Sequence, residues 1–524
     1  MVDEQPVANS YDSVPYCNLP HSFTHPRCLE TMAALFRMQP PDIHHCRVLE
    51  LGCGRGGNLI PLAFDLPESQ FLGVDLSQRQ VEEGQGVVKQ LGLSNIELRQ
   101  ANILDIDASW GQFDYLIAHG VYSWLPPPVQ DKLLEVSCRN LSPNGVAFIS
   151  YNTYPGWHMA NVVRDLMRYH TAHFNDPQQQ IAQAKAMLAL LAGISPASNS
   201  FGKLLREELD FIQSIDRDSY LFHDHLEVEN HPVYFYEFIE RAESKGLQYL
   251  ADSDFGSMLL QNLPAATHAP LGRLPLIPQE QYMDFARGRR FRRTLLCHQG
   301  ITLQRHITAE QMPLFHFVPA GPLTVDDVDI HTDQPAKFSA LQSTMTTRDR
   351  LLKAAMIHLK ETYPRYVGFR ALYATALARL GGPNHPTSND PALSAESLAA
   401  NLLSGYCVGF FQICLHPPQL VVRAGRQPAV NPLARLQAEN GLVVTNRLHE
   451  PVTLNPLSRR MVRRLDGNHD RRALVECVRE AISCGELNLQ NVAKEPAASP
   501  GPKTLSGIVD EVLANVCSAA LLTG

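Results

Sequence analysis

Short apolar runs separated by helix-spaced stretches mark the first third of the chain. Arg47-Val48-Leu49-Glu50-Leu51 runs into glycines, and Phe71-Leu72-Gly73-Val74-Asp75 follows. Ile96-Glu97-Leu98-Arg99-Gln100 alternates, as a half-buried strand does. Phe113 to Ala118 and Val146 to Tyr151 are apolar again, the second preceded by the turn Ser142-Pro143-Asn144-Gly145. Strands alternating with helices predict βαβ units and a parallel sheet. From Gly156 to about Ile215 the spacing is helical, as in Ile181-Ala182-Gln183-Ala184-Lys185-Ala186-Met187-Leu188. A helix over Val233 to Lys245 stops at Gly246, and Leu247 to Leu250 and Arg292 to Cys297 are strand-like. These two can supply the sixth and seventh strands of the same sheet.

The rest of the chain is patterned differently. Residues 347–380 are helix-spaced. Residues 401–480 look like a small α/β module, with strand-like Phe410 to Leu415 and Leu442 to Asn446 and a helix from Pro456 to Leu465 closed by Asp466-Gly467. Glu495 to Pro502 is rich in Pro, Ala and Ser, as linkers are. The expected domains are 1–300 with a helical insertion at about 156–225, a mainly helical 301–400, a winged-helix-like 401–485, a linker 486–505 and a helical tail 506–524. There is no internal repeat.

Composition narrows the class. The 524 residues are 44% hydrophobic and 19% charged, enough apolar material for several cores. A formal net charge of −8 argues against nucleic acid as a partner, because phosphate binding needs a positive face. The 11 cysteines show no CxxC or Cys/His pairing with metal-ligand spacing, so no metal is expected and free thiols in a reducing cytoplasm are the plain reading. The N-terminus lacks a signal-like apolar region, and no apolar run reaches the roughly 18 residues of a membrane span.

The chemistry concentrates in the loop Glu50-Leu51-Gly52-Cys53-Gly54-Arg55-Gly56-Gly57. Gly52, Gly54 and Gly57 fit the dinucleotide fingerprint G-x-G-x-x-G, and Asp75 lies about where a ribose-binding acid is required. The loop alone therefore serves a nicotinamide cofactor or a methyl donor. Glu50 gives the E-x-G-x-G-x-G form, and a carboxylate there suits a cationic ligand and opposes a pyrophosphate. Gln100-Ala101-Asn102-Ile103 follows the third strand, where the Asn102 side chain and the Ile103 N–H can read an adenine. The fourth strand runs into His119-Gly120-Val121-Tyr122 at the carboxyl edge of the sheet, where ligands bind in open α/β folds. Together these favour S-adenosyl-L-methionine over NAD. The cofactor-binding candidates are Tyr11, Tyr16, Glu50, Gly52, Cys53, Gly54, Asn58, Asp75, Leu76, Asn102, Ile103, His119 and Gly120.

The residues also resemble a known bacterial family that joins a class I methyltransferase domain to a methyltransferase regulatory domain. The matching stretches are Tyr11 to Tyr16, Thr24-His25-Pro26, Val48 to Pro61, Phe113 to Pro126 and Ser150-Tyr151-Asn152-Thr153-Tyr154-Pro155-Gly156-Trp157-His158. The likeness is dense over residues 10–160, looser to about 300 and thin beyond. It implies a Rossmann-like class I methyltransferase sheet of seven strands, the last antiparallel. Because the family includes lysine methyltransferases of outer-membrane proteins, it also implies a protein substrate.

A lysine acceptor must lose a proton from a group of pKa about 10.4 before it can attack a methyl carbon. Tyr122, Tyr151, Asn152, Tyr154, Trp157 and His158 follow strands four and five and are the catalytic candidates, with rings to hold an alkyl-ammonium chain and hydroxyls to hold the amine. Tyr11 to Pro26 reads as a lid over the cofactor. In His223-Asp224-His225-Leu226-Glu227 the two histidines diverge, so the stretch is either a loop that brings His225 to the substrate mouth or a set of surface and capping residues. Arg459, Arg460, Arg463, Arg464, Arg471 and Arg472 read as a solvated basic face on a protein-docking or homodimer-contact module. The competing functions are a small-molecule O- or N-methyltransferase and a non-catalytic sensor of the methyl donor.

Overall fold

The computed structural model describes Val14 and residues 18–215, 217–341, 343–381, 391–484 and 504–523. Two units emerge, one of residues 1–19, 40–63 and 67–302, the other of residues 20–39, 64–66 and 303–524. In chain order the first elements are α1 (Pro26–Leu35), β1 (Arg47–Leu51), α2 (Leu59–Asp65), β2 (Gln70–Asp75), α3 (Gln78–Leu91), β3 (Ile96–Gln100), β4 (Phe113–Ala118), α4 (Pro127–Arg139) and β5 (Leu141–Asn152). Then follow α5 (Gly156–Thr171), α6 (Pro177–Ile194), α7 (Ser200–Ile215), α8 (Phe235–Ser244), β6 (Leu247–Asp252), α9 (Leu276–Arg287) and β7 (Phe291–His298).

The first unit is built on one seven-stranded sheet in the order β3-β2-β1-β4-β5-β7-β6. β1 to β5 pair in parallel, and β7 runs antiparallel to both β5 and β6. The expected strands are all present, and the reason is burial. Leu49, Leu116 and Ile149 on the sheet are fully buried beside Leu133 of α4 and Phe238 of α8. Strands covered on both faces read as continuous apolar runs, and these are what the sequence displays. One boundary differs. Ser142 to Gly145 does not precede β5 but bulges out of it: Leu141 pairs with Phe113 and the next partners are Val146 and Tyr115. Asp114 holds the bulge, accepting from Ser142 Oγ at 2.8 Å.

The helical insertion is α5, α6 and α7. It closes on its own core of Val163, Met167, Ile181, Leu188, Leu205 and Ile212, joined by Val14 and Phe222. Asp176 starts α6 by accepting from Gln179 N–H, satisfying an end donor that has no partner within the helix. Past α7 the chain makes a π-helical turn over Phe222–Leu226.

The second unit holds β8 (His316–Pro319), β9 (Leu323–Val325), β10 (Ala336–Ala340), β11 (Ser343–Thr347), α10 (Arg350–Thr362), β12 (Val367–Gly368), α11 (Phe369–Arg379), α12 (Ala395–Cys407) and β13 (Phe411–Cys414). The strands form two three-stranded sheets, β11-β10-β9 and β12-β8-β13. The helix spacing of 347–380 appears as α10 and α11, while the strands before them left no clear pattern. The chain then gives α13 (Pro432–Asn440), the β14–β15 hairpin (Val443–Thr445 and Pro451–Thr453), α14 (Pro456–Val462), α15 (Arg471–Ser483) and α16 (Leu505–Ser518). Ala434, Met461, Leu474, Val512 and Leu513 meet in one core, so α16 is an integral part of it. Residues 486–503 of the expected linker lie outside the described residues. Among the described residues, no helix is long and apolar enough to cross a membrane.

Candidate functional site

The glycine loop folds back onto β2. Gly52 and Cys53 N–H both donate to Val74 O, at 2.8 and 3.0 Å. Gly54 has φ +53°, a left-handed conformation that a side chain resists. Gly52, at φ +73°, lies against Val121 of the β4 turn, where a Cβ would collide with the valine methyl. Asp75 ties the loop down: one oxygen accepts Gly54 N–H at 2.8 Å and the other Ser77 N–H at 2.9 Å.

Glu50 stands at the end of β1, 4% exposed. Asn58 Nδ2 donates to its Oε1 at 2.8 Å, and its Oε2 is buried with no hydrogen-bond partner among the described residues. Burial pushes the carboxyl up to about 8, against the Asn58 hydrogen bond, which lowers it. Cys53 is buried and burial raises its thiol pKa, so it packs as a small apolar side chain. Leu76, 58% exposed, borders the loop after β2. Asn102 uses its side-chain oxygen to accept Leu104 N–H at 3.0 Å, so its turn is rigid and one lone pair is left over; Ile103 begins that turn. Of the expected lid, Tyr11 and Tyr16 lie outside the described residues. Asn18 does sit on the loop, donating to Cys53 O at 3.1 Å. The rest, from Pro20 to Pro26, belongs to the second unit.

At the carboxyl edge, Ser150 organises the β4 turn. Its hydroxyl lies 2.9 Å from His119 Nδ1 and accepts Gly120 N–H at 2.8 Å. The His119 ring packs edge-on against Phe148 and Phe291. Gly120, at φ +66°, has open space where a side chain would stand.

The acceptor candidates separate into two groups. Tyr122 and Tyr151 lie in the core, the first beside Phe238 and the second stacked on it at 4.1 Å. Tyr151 Oη is 3.0 Å from Thr294 Oγ1, and burial raises both phenols above their usual range. These rings face α8 rather than open space. Trp157 is likewise buried, edge-on to Trp124. Asn152 is a buried clamp: its N–H donates to Ser123 Oγ at 2.8 Å and its Nδ2 to Asn230 Oδ1 at 3.1 Å.

Tyr154 and His158 form the second group, stacked 4.0 Å apart, with His158 Nε2 3.1 Å from Tyr234 Oη. Tyr234 continues the row to Tyr236 and to Phe285, which are 37% and 47% exposed. Neither Tyr234 nor Phe285 was a sequence candidate. The only trace was an aromatic start to the helix predicted from Val233.

A strap over residues 222–233 runs along this edge. His231 N–H donates to Ser123 O at 2.7 Å, and Val233 forms a parallel bridge with Thr153. At the other end His223 Nε2 donates to Val14 O at 2.6 Å. His225 Nε2 is 3.2 Å from Glu208 Oε1, whose other oxygen is 2.7 Å from Arg290. The two histidines thus serve separate partners, as their spacing implies. Arg164 donates to the carbonyls of Glu227 and Val228.

Comparison with known proteins gives this arrangement a family. Residues 43–208 match the methyltransferase domain, residues 217–298 the predicted methyltransferase regulatory domain, and residues 427–521 the PKMT C-terminal winged helix domain. An uncharacterized protein of Rickettsia prowazekii (strain Madrid E) is 35% identical over 526 residues, 98% of this chain and 94% of its own length. A second protein of that organism is 42% identical over 242 residues, 46% of this chain and 96% of its own. The structure of PKMT2 from Rickettsia typhi in complex with AdoHcy aligns at a TM-score of 0.87 and 31% identity, covering 97% of this chain and 100% of that one. The choice left open by the glycine loop is thereby closed against NAD. The chain is an S-adenosylmethionine-dependent methyltransferase, and it belongs to the bacterial family that joins such a domain to a methyltransferase regulatory domain and a PKMT-type winged helix.

Proposed function

We propose that this methyltransferase acts on protein, at the side-chain amine of lysine, with the donor seated on Glu50, Gly52, Gly54, Asp75, Asn102 and His119. The observation that carries the reading is the whole-length likeness to PKMT2 of Rickettsia typhi at 31% identity. Two features of the site fit S-adenosylmethionine. The partnerless Glu50 Oε2 suits an ammonium, and Gly120, with open space where a side chain would stand, lets a ligand approach backbone. When bound, the donor supplies a sulfonium methyl.

The residues of the chain position, orient and exclude water. Asp75 holds the loop to β2 and offers lone pairs to ribose hydroxyls. Ser150 fixes the turn at His119 and Gly120 beside the route from donor to acceptor. Tyr154, His158 and Tyr234 form a ring-lined face for the lysine stem, whose ammonium is attracted to aromatic π faces. Correct placement alone accounts for on the order of 7–11 kcal/mol of barrier reduction, and no covalent enzyme intermediate is needed. The ten cysteines among the described residues form no disulfide.

The test is transfer of labelled methyl from S-adenosylmethionine into bacterial protein, followed by hydrolysis and amino-acid analysis. Label in methyl-lysine is expected. Label confined to small molecules, or to oxygen esters, would replace this reading with the small-molecule or O-methyl alternative.

A further inference from the structure

Ser150 Oγ has two polar neighbours among the described residues, and they place opposite demands on it. Gly120 N–H donates to it at 2.8 Å, while His119 Nδ1 lies 2.9 Å away. Ser150 is fully buried, so its own hydrogen needs an acceptor. The amide can only donate, which leaves Nδ1 to accept. An imidazole that accepts at Nδ1 carries its proton on Nε2 and is uncharged. Charging the ring would put a hydrogen on Nδ1 as well. The serine hydrogen would then be buried without an acceptor, so the arrangement resists the charged form.

The place of the ring makes its charge matter. A Cβ on Gly52 would stand 2.4 Å from Val121 Cγ2, so the turn that carries His119 lies directly against the glycine loop. Register sets Glu50 beside Ile117, Ile117 beside Phe148, and Asn152 beside Phe291, whose ring meets His119 edge-on. Residues two apart on a strand share a face, so Glu50, His119, Ser150 and Asn152 lie on one face of the sheet. The donor is a sulfonium cation, and a second cation in its seat would repel it.

We infer that Ser150 is a positioning residue for methyl transfer: it holds His119 as the neutral Nε2–H tautomer and so keeps a positive ring away from the sulfonium. This rests on His119 belonging to the donor seat, as proposed above. The other charged groups on that face are Glu50 on β1, Asp75 on β2 and Arg293 on β7, the last paired with Asp254. Cys53 and Arg55 belong to the glycine loop, and Arg55 pairs with Glu83. Tyr122, Tyr151 and Arg292 turn to α8.

The experiment needs no acceptor. Calorimetry of the full-length protein measures S-adenosylmethionine, which carries the sulfonium, and AdoHcy, which does not, from about pH 6 to 8. The two ligands share every other charged group, so titration of Glu50 and Asp75 cancels in the ratio of their affinities. In the wild type that ratio should stay constant within about twofold. In Ser150→Ala it should turn about 5- to 10-fold against S-adenosylmethionine at the acid end. Ser150→Thr, which keeps the hydroxyl, should follow the wild type. Ser150→Ala combined with His119→Asn should restore the constant ratio, because no ring is left to charge.

A constant ratio in Ser150→Ala, or the same drift in the double variant, overturns the inference. So does an equal loss of both ligands, which marks a structural role. If Ser150→Ala does not fold, ring-nitrogen NMR of the histidine-labelled wild type decides, with the His119 signal identified by its loss in His119→Asn. An Nε2–H ring is expected. An Nδ1–H or charged ring overturns the inference and leaves the donor seat intact. Wild-type binding of both ligands by His119→Asn removes His119 from the seat and overturns both.

Discussion

Glu50 ends β1 with one oxygen bonded to Asn58 and the other buried and bonded to nothing among the described residues. Its folded pKa, raised to about 8 from an ordinary 4.5, makes ionisation costly in the ligand-free protein. The stability held in the protonated form is fully present below the unfolded value and is lost as pH rises through about 8. Glu50→Gln should flatten that fall, seen as a smaller drop in Tm between pH 5 and 8.5. The same variant should bind AdoHcy about 10- to 100-fold more weakly, since a charged hydrogen bond is worth roughly 1.5–3 kcal/mol. Asp75→Ala should weaken AdoHcy by about 100-fold in calorimetry, because it removes the proposed ribose acceptor and frees the Gly54 and Ser77 N–H groups together. Wild-type affinity in that variant would place the ribose elsewhere.

The placement of Glu50 at the end of β1 and of Asp75 against the glycine loop was legible in the sequence, because spacing from the loop fixes both. Tyr122 and Tyr151 were not, for a plain geometric reason. Successive residues of a strand point to opposite faces, so Ser150 and Asn152 serve the β4 turn and the strap while Tyr151 between them turns to Phe238. Proximity along the chain was mistaken for proximity in space.

Among elements, the glycine loop and the arm at Asn18 are the tightest fit. A Cβ on Gly57 would run into the Asn18 backbone carbonyl, which cannot swing away as a side-chain tip would. Gly57→Ala should therefore displace the arm, costing about 1–3 kcal/mol in denaturant unfolding, and should weaken AdoHcy binding in parallel. Unchanged affinity and stability would show that the arm does not cover the loop in solution. The strands of the sheet were readable from apolar runs alone. The strap was not, because residues 222–233 follow neither a helical nor an alternating period, and its path is set by bonds to Ser123, Asn152 and Val14, each distant in sequence.

For the whole molecule, the C-terminal winged helix draws its core from both sides of the stretch 485–503, with Leu474 and Leu513 in one cluster. Leu513→Ala should cost about 2–5 kcal/mol and lower the unfolding transition of that region in calorimetry. A shift of under 1 °C would mean that α16 packs loosely. The arginines read as a solvated face are partly occupied: Arg459 donates to the carbonyls of Ala438 and Glu439, and Arg471 pairs with Asp510. Composition suggested this bland reading, but only tertiary pairing identifies which charges are occupied.

The place of β7 in the sheet has a consequence for biogenesis. β5 pairs on its far side with β7, so Ala147 waits for Leu296, and the helical insertion, α8, β6 and α9 must all be synthesised first. Until then β5 is an apolar strand with an unsatisfied edge on the nascent chain, the kind of surface that invites pairing with other polypeptides. Such long-range closure predicts slow refolding and a nascent chain that engages chaperones until the seventh strand emerges.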